Sequence, residues 1–357
     1  MRVAVAGAGA FGRNHLRVLR ELEAAGQGVL LAAAVEPDLT RAAETTSQFG
    51  IPVFASIEKL LEADLRLDAA CVAVPTVHHH AVAAALLDAN LDLLVEKPLA
   101  ASLAEADDLI ARAERRNRIL QPGHLERFNP AVLAIEPRLR RPMFFEAHRL
   151  SVFTPRALDV DVILDLMIHD LDIVLAFAGS PVREVRAVGL PIVSPRVDIA
   201  NVRLEFESGC VANFTASRVS TEKVRKLRFF EPRQYVSIDY ARRDLLVIRM
   251  DAEPGAVPVE LAALLTSGKL DPALLAALAA ATSGPAPGLS FAKPPVEPGE
   301  PLRLEIESFL DAVRTRRPPH VTARQGRAAL ELALEIQSAM AAHAARAGLA
   351  DFFNPVA

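Results

Sequence analysis

An apolar run from Val3 to Ala6 enters three glycines, Gly7, Gly9 and Gly12, and no other feature constrains the fold as much. The spacing is G-x-G-x-x-G, with Ala10 and Phe11 before the last glycine, and helical spacing of apolar residues follows over 13–25. A strand that turns straight into a helix needs Gly7 for the tight turn. Gly9 lets the backbone approach a ligand, and Gly12 lets helix and strand pack closely. The first N–H groups of such a helix are unpaired and carry partial positive charge, which suits a pyrophosphate. The segment predicts a dinucleotide turn, with Gly7, Gly9, Ala10, Phe11 and Gly12 around the phosphates.

A second apolar run ends in Glu36, 24 residues beyond Gly12. A carboxylate there accepts hydrogen bonds from both hydroxyls of an adenosine ribose and repels a 2′-phosphate. The expected cofactor is therefore NAD, with NADP disfavoured. Arg41 pulls the other way, because a guanidinium just beyond this position accommodates that phosphate.

Short apolar runs at 3–6, 30–35, 69–74 and 91–95 alternate with helical spacing at 13–25, 40–49, 79–89 and 103–117. Such repetition implies an α/β Rossmann domain over 1–121, a doubly wound parallel sheet with helices on both faces. After Pro122 the pattern changes. Residues 158–178 read as one long apolar helix, and alternating strands follow at 201–207, 210–217, 226–230 and 235–240. Their close succession predicts mainly antiparallel pairing in an α+β domain over 122–357. A Pro/Gly/Ala-rich excursion at 254–301 surrounds one Ala/Leu-rich helix. Closing helices are expected at 303–314 and 324–346, the second capped by Thr322.

Composition excludes several function classes. The 357 residues hold 44 acidic and 40 basic side chains, a formal charge of −4, so neither nucleic acid nor a membrane surface is an expected partner. Mean hydropathy is +0.23. Alanine inflates that value, and the longest apolar stretch, 273–281, falls far short of the ~20 residues that span a bilayer. Cys71 and Cys210 stand far apart without metal-ligand spacing, so neither a disulfide framework nor a zinc site is expected. The Ala/Gly/Val-rich start has the look of a signal peptide, but it reads better as a buried strand entering a glycine turn, and the expected location is cytoplasmic.

Two further strand ends should carry side chains to the carboxyl edge of the sheet, where ligands of open α/β sheets bind. At the first, Pro75 and Thr76 line the crevice, and His78 either reaches it or starts a helix as an exposed residue. At the second, Glu96-Lys97-Pro98 ends a strand, and Glu96 and Lys97 are expected beside the cofactor. A residue before proline is kept out of helical geometry, so the Lys97 amine should project into the crevice. There it would hydrogen-bond a substrate hydroxyl and stabilise alkoxide charge. On a regular helix Asp161, Asp165, His169 and Asp172 form one polar stripe within about 80° of arc. Carboxylates one turn before a histidine orient it for general acid–base work. Metal ligation and a purely structural network are the rival uses, and no metal is assigned. Asp170 falls off the stripe and reads as a cap or surface residue.

In this order GAGAFG, Glu96-Lys97-Pro98 and the D-x-x-x-H of Asp165 and His169 resemble the Gfo/Idh/MocA family of NAD(P)-dependent oxidoreductases. The resemblance spans nearly the whole chain. It implies that Lys97 positions and polarises a reacting hydroxyl, His169 takes its proton and Asp165 assists. It also implies that an open, mostly antiparallel second-domain sheet builds homodimers or homotetramers. The family's glycine pair before the D-x-x-x-H is missing here, where Asp161-Val-Ile-Leu stands instead.

The run Gly123-His124-Leu-Glu-Arg127-Phe128-Asn129-Pro130 looks most like the branch acting on nucleotide-linked amino sugars. That branch implies oxidation of the C3 hydroxyl of a UDP-linked N-acetyl amino sugar. Arg127, Asn129 and Asp161 are then expected at the substrate. Residues 220–250 carry eight basic and four acidic side chains. Lys223, Arg225 and Lys226 there either meet a diphosphate or form a solvated strand face. An inositol or free-monosaccharide dehydrogenase is the alternative within the enzyme class. A non-catalytic NAD-binding regulatory protein is the alternative outside it, and it would have no need for Lys97 or the acidic–histidine stripe.

Overall fold

β1 (Arg2–Ala6) is buried along nearly its whole length and runs into the glycine turn. The computed structural model describes residues 1–154, 160–250 and 289–349. The chain divides into two compact units: 1–129 with 159–176 and 299–342, and 130–158 with 177–298 and 343–357.

In the first unit β1 pairs in parallel with β2 (Leu30–Val35) and β4 (Ala69–Val72). β3 (Val53–Phe54), β5 (Asp92–Glu96) and β6 (Leu120–Gly123) complete six strands in the order β3-β2-β1-β4-β5-β6. The order reverses between β1 and β4, so a crevice opens there at the strands' carboxyl ends. Helices α1 (Ala10–Ala24), α2 (Leu39–Phe49), α3 (Ile57–Glu62), α4 (His79–Asp88) and α5 (Leu103–Arg115) alternate with the strands. β3 and β6 add to the strands read from sequence, and β6 carries the sheet past 121. The first unit is not closed by one cut near that point. Helices from much later in the chain complete its core. α8 (Pro301–Thr315) buries Leu302, Ile306, Phe309 and Leu310 with Leu16, Leu19 and Leu22 of α1. α9 (Ala323–Arg346) adds Leu330 to the cluster on the other face. Thr322 caps α9 as expected: Gln325 N–H donates to its Oγ1 at 3.3 Å, and Gln325 Oε1 accepts from the Thr322 N–H at 2.8 Å. This reciprocal pair is a capping box.

The second unit holds eight strands in the order β14-β13-β12-β11-β7-β10-β9-β8, all neighbours antiparallel except β7 with β10. They are β7 (Phe144–Leu150), β8 (Val182–Leu190), β9 (Ile199–Phe206), β10 (Val211–Ser217), β11 (Val224–Glu231), β12 (Gln234–Asp239), β13 (Asp244–Met250) and β14 (Leu289–Ala292). Strict alternation buries one face, where Phe145, Phe206, Phe214 and Phe229 are almost fully enclosed. A short helix, α6 (Pro130–Ile135), opens this unit. The Ala/Leu-rich helix expected within 254–301 lies outside the described residues.

The helix expected over 158–178 differs in shape. Residues 158 and 159 lie outside the described residues. A π-helical turn spans Ile163–Met167, and α7 (Ile168–Ala178) continues from it. Cys71 and Cys210 are both free and buried, and among the described residues no helix is long and apolar enough to cross a membrane.

Candidate active site

At the switch point a cavity of about 630 Å³ is lined by the glycine turn, Glu36 and the turn after β4. Gly7 holds φ +94°, a conformation that L side chains rarely adopt. A Cβ at Gly12 would stand 1.9 Å from the Gly7 oxygen, so strand and helix touch through that glycine. At Gly9 a Cβ would meet nothing within 4 Å. The turn is thus tight where chain meets chain and open where a phosphate would approach.

Glu36 is 4% exposed and organises the same corner. Its Oε2 accepts from the Ala8 N–H at 3.1 Å, and its Oε1 accepts from the Asp38 N–H at 3.0 Å and the Arg41 guanidinium at 3.1 Å. Arg41 also lines the cavity, so the carboxylate and the guanidinium that argue for opposite cofactors are paired with each other. Ala10, Phe11, Pro75 and His78 line the cavity as well, while Gly12, Thr76, Glu96 and Lys97 do not. Thr76 opens the single 3₁₀ turn Thr76–His78. This cradle fits a dinucleotide: the backbone at Gly9 is open, and the Glu36 carboxylate lines the same cavity.

β5 is buried throughout and delivers Glu96 and Lys97 differently. Glu96 is buried, with its Oε1 2.8 Å from Nε2 of His15 on α1. Lys97, joined to Pro98 by a cis peptide, donates from Nζ to the backbone oxygens of Asp165 at 2.7 Å and Leu164 at 3.2 Å. Both acceptors belong to the π turn. The strand-end ammonium and the start of the D-x-x-x-H helix are therefore one hydrogen-bonded assembly.

The π turn also corrects the polar stripe. Its wider spacing breaks the uniform 100° advance assumed for Asp161, Asp165, His169 and Asp172. Asp161 precedes the turn and caps it. Its Oδ1 accepts from the Ile163 and Leu164 N–H groups at 3.0 and 3.1 Å, and its Oδ2 accepts from Gln337 at 2.5 Å. Asp165 and His169 are half-buried. Asp170, read as a cap or surface residue, is buried instead, and so is Asp172.

Arg127 and Asn129 are both buried, with the Arg127 guanidinium 3.8 Å from Asp172 Oδ2. Lys223 belongs to the second unit, exposed just before β11. Among the described residues no three His, Cys, Asp or Glu side chains converge as a metal cage would require.

Sequence reasoning missed three buried polar groups beneath the lysine turn: His15, His124 and Glu305. His124 Nδ1 lies 3.8 Å from Asp172 Oδ2, and burial pushes its pKa below the ordinary histidine value. Glu305 has no exposure, and neither carboxyl oxygen has a hydrogen-bond partner among the described residues. Burial, reinforced by Glu96 and Asp172, holds its pKa well above the ordinary carboxylate range. A signal for Glu305 was present, because an acid sits among Leu302, Ile306 and Phe309 on the apolar face of its helix.

Comparison with known proteins agrees with this geometry. A family model described as an oxidoreductase family with an NAD-binding Rossmann fold matches residues 1–124, and a GFO/IDH/MocA C-terminal domain model matches 131–233. The chain is 33% identical over 343 residues to UDP-N-acetylglucosamine 3-dehydrogenase from Acidithiobacillus ferrooxidans, covering 96% of this chain and 98% of that protein. A solved structure of that enzyme superposes with TM-score 0.81 over 96% of this chain and 98% of its own. Inositol 2-dehydrogenase from Leifsonia xyli subsp. xyli is 31% identical over 193 residues, 52% of this chain and 56% of that protein. An oxidoreductase from Agrobacterium radiobacter, solved with NAD+, L-tartaric acid and magnesium, shares the fold at TM-score 0.74 and 16% identity, covering 96% of each chain.

Proposed function

The chain belongs to the Gfo/Idh/MocA family of oxidoreductases, and on that premise we propose that it oxidises the C3 hydroxyl of a UDP-linked N-acetyl amino sugar with NAD. The observation that carries this reading is the Lys97 ammonium tethered to the Leu164 and Asp165 carbonyls at the start of the helix bearing His169. A fixed cation beside a secondary hydroxyl hydrogen-bonds its oxygen and stabilises the alkoxide as the proton leaves. His169 accepts that proton, and Asp165, one turn earlier, favours the imidazolium that forms. The nicotinamide of bound NAD supplies the acceptor for the hydride leaving the same carbon.

The backbone around Gly7, Gly9, Ala10 and Phe11 would hold the pyrophosphate, and Glu36 the adenosine ribose. NAD is favoured over NADP because Glu36 lines the cavity in carboxylate-to-guanidinium contact, which occupies Arg41. Lys223, with Arg225 and Lys226, is assigned to the substrate diphosphate. A homodimer or homotetramer paired through the eight-stranded sheet completes the proposal.

Nicotinamide absorbance is followed against UDP-sugars, free sugars and inositols, with NAD and NADP in parallel. Reduction of NAD by UDP-N-acetylglucosamine is the expected result. Turnover with free polyols alone would overturn the nucleotide-sugar reading in favour of an inositol or free-monosaccharide dehydrogenase. Cofactor binding with no reduction by any sugar would favour a regulatory NAD-binding protein.

A further inference from the structure

Three histidines follow one another at 78–80, and each does something different. His78 is exposed at the cavity, and His80 pairs with Asp108 of α5 at 2.8 Å. His79, 1% exposed at the start of α4, stands between two turns of the site. Its Nδ1 lies 2.8 Å from the Pro98 carbonyl oxygen and its Nε2 3.0 Å from the Val74 carbonyl oxygen. Val74 lines the cavity next to Pro75, and Pro98 follows Lys97 directly.

A carbonyl oxygen can only accept. For both contacts to be hydrogen bonds both ring nitrogens must carry hydrogen, which is the imidazolium. A neutral ring donates to one carbonyl and turns a lone pair toward the other. Burial is the strongest influence and holds the His79 pKa below the ordinary histidine value, although the two carbonyls and Glu96 on β5 favour the charged ring; His78 adds to the lowering.

We propose that His79 is a positioning residue that ties the cofactor turn after β4 to the lysine turn after β5, one ring nitrogen holding each. The lysine half of this proposal rests on the reading of Lys97 as the reacting cation, whereas the cofactor half does not. Protonated, the ring braces both turns, and as pH rises it releases one of them.

Asparagine and glutamine separate the two struts. The amide nitrogen of His79→Asn falls near the position of Nδ1 and keeps the donor to Pro98, and that of His79→Gln falls near Nε2 and keeps the donor to Val74. NADH affinity is read by cofactor fluorescence, which the absence of tryptophan leaves clear of protein background. Below the ordinary histidine pKa of about 6.5, at a pH low enough to charge the ring, His79→Asn should raise the NADH Kd roughly tenfold, as for one lost hydrogen bond, with kcat within about twofold of wild type. His79→Gln should leave the Kd within about twofold and lower kcat roughly tenfold. As pH rises the wild type should converge on one of the two variants. The proposal is overturned if both variants move the same parameter by the same factor, or if their difference from wild type is equal at every pH. If neither variant folds, as judged by its melt, a wild type in which neither the NADH Kd nor kcat changes with pH overturns it. A wild type that oxidises no sugar removes only the kcat arm and counts against the proposed substrate, and the NADH arm still decides the role of His79.

Discussion

The Lys97 ammonium lies 2.7 Å from the backbone oxygen of Asp165, so a strand end is bound to a helix start 68 residues further along the chain. Backbone oxygens carry partial negative charge that does not titrate, so these two acceptors stay available to the lysine at any pH. Asp161 holds the other side of the same turn through the N–H groups of Ile163 and Leu164. A π turn at this point widens the helix where the site needs its carbonyls, as such turns often do at functional sites.

Replacing Lys97 separates charge from geometry. Lys97→Ala should lower kcat by roughly 10²–10⁴-fold, the range for loss of a positioned proton-handling group. Lys97→Arg should recover little of it, because a planar fork cannot reproduce a compact ammonium between two carbonyls. NADH affinity should change no more than about threefold in either variant, because Lys97 does not line the cavity. Steady-state kinetics beside NADH titration check this, and full turnover in Lys97→Ala would sink the assignment.

Cofactor choice should follow the Glu36–Arg41 pair. Glu36→Gln keeps an oxygen for the Ala8 N–H but removes the charge that repels a 2′-phosphate and occupies Arg41. The ratio of kcat/KM for NADP over NAD should rise by roughly 10²-fold, equivalent to about 2.7 kcal/mol. The double variant Glu36→Gln with Arg41→Ala should lose most of that gain. An unchanged ratio in the single variant would show that Glu36 does not set the preference.

Much of this was legible in sequence, and the exceptions have physical reasons. Strands β1, β2, β4 and β5 announced themselves because both their faces are buried, which makes them continuous apolar runs. β3 is only two residues long, and β6 contains Pro122, which its edge position tolerates. The Lys97 turn was readable because a strand end and a proline fix it locally. The π turn was not, because apolar spacing reports which face is buried, not the hydrogen-bond ladder. His15, His124, Asp172 and Glu305 are brought together by four separate segments, so no spacing within one segment reports that they meet. The return of the late helices to the first unit was equally hidden: α8 looks like any amphipathic helix until Phe309 and Leu310 are found against α1.

The two glycines at the cofactor turn should differ in what alanine costs them. Gly12→Ala places a methyl 1.9 Å from the Gly7 oxygen, so backbone must shift, and overpacking of this kind costs about 1–3 kcal/mol. A lower Tm and weakened NADH binding are expected together. Gly9→Ala meets nothing within 4 Å, so its Tm should stay within about 2 °C of wild type. Its methyl nevertheless enters the space assigned to the pyrophosphate, and the NADH Kd should rise roughly tenfold or more. Equal effects on Tm and Kd in the two variants would contradict this division of labour.

Glu305 supplies a stability test with a definite sign. Its folded pKa is held above the unfolded value of about 4.3, so the folded chain keeps a proton that the unfolded chain gives up. The stability linked to Glu305 is therefore complete below the unfolded pKa and is lost as pH rises toward the folded one. Glutamine has nearly the same shape and cannot ionise. Glu305→Gln should melt with wild type near pH 4 and above it at higher pH. The gap should grow to roughly 1–2 °C, the shift expected for about 1 kcal/mol in a chain of this size. Its growth across the pH range is the informative quantity, because a packing difference between the two side chains would offset the melts equally at every pH. A constant offset would show that Glu305 is ionised in the folded protein, its charge balanced by a partner. A gap that widens with pH identifies it as a neutral acid held beneath the lysine turn, with Glu96 and Asp172 the neighbours that keep it so.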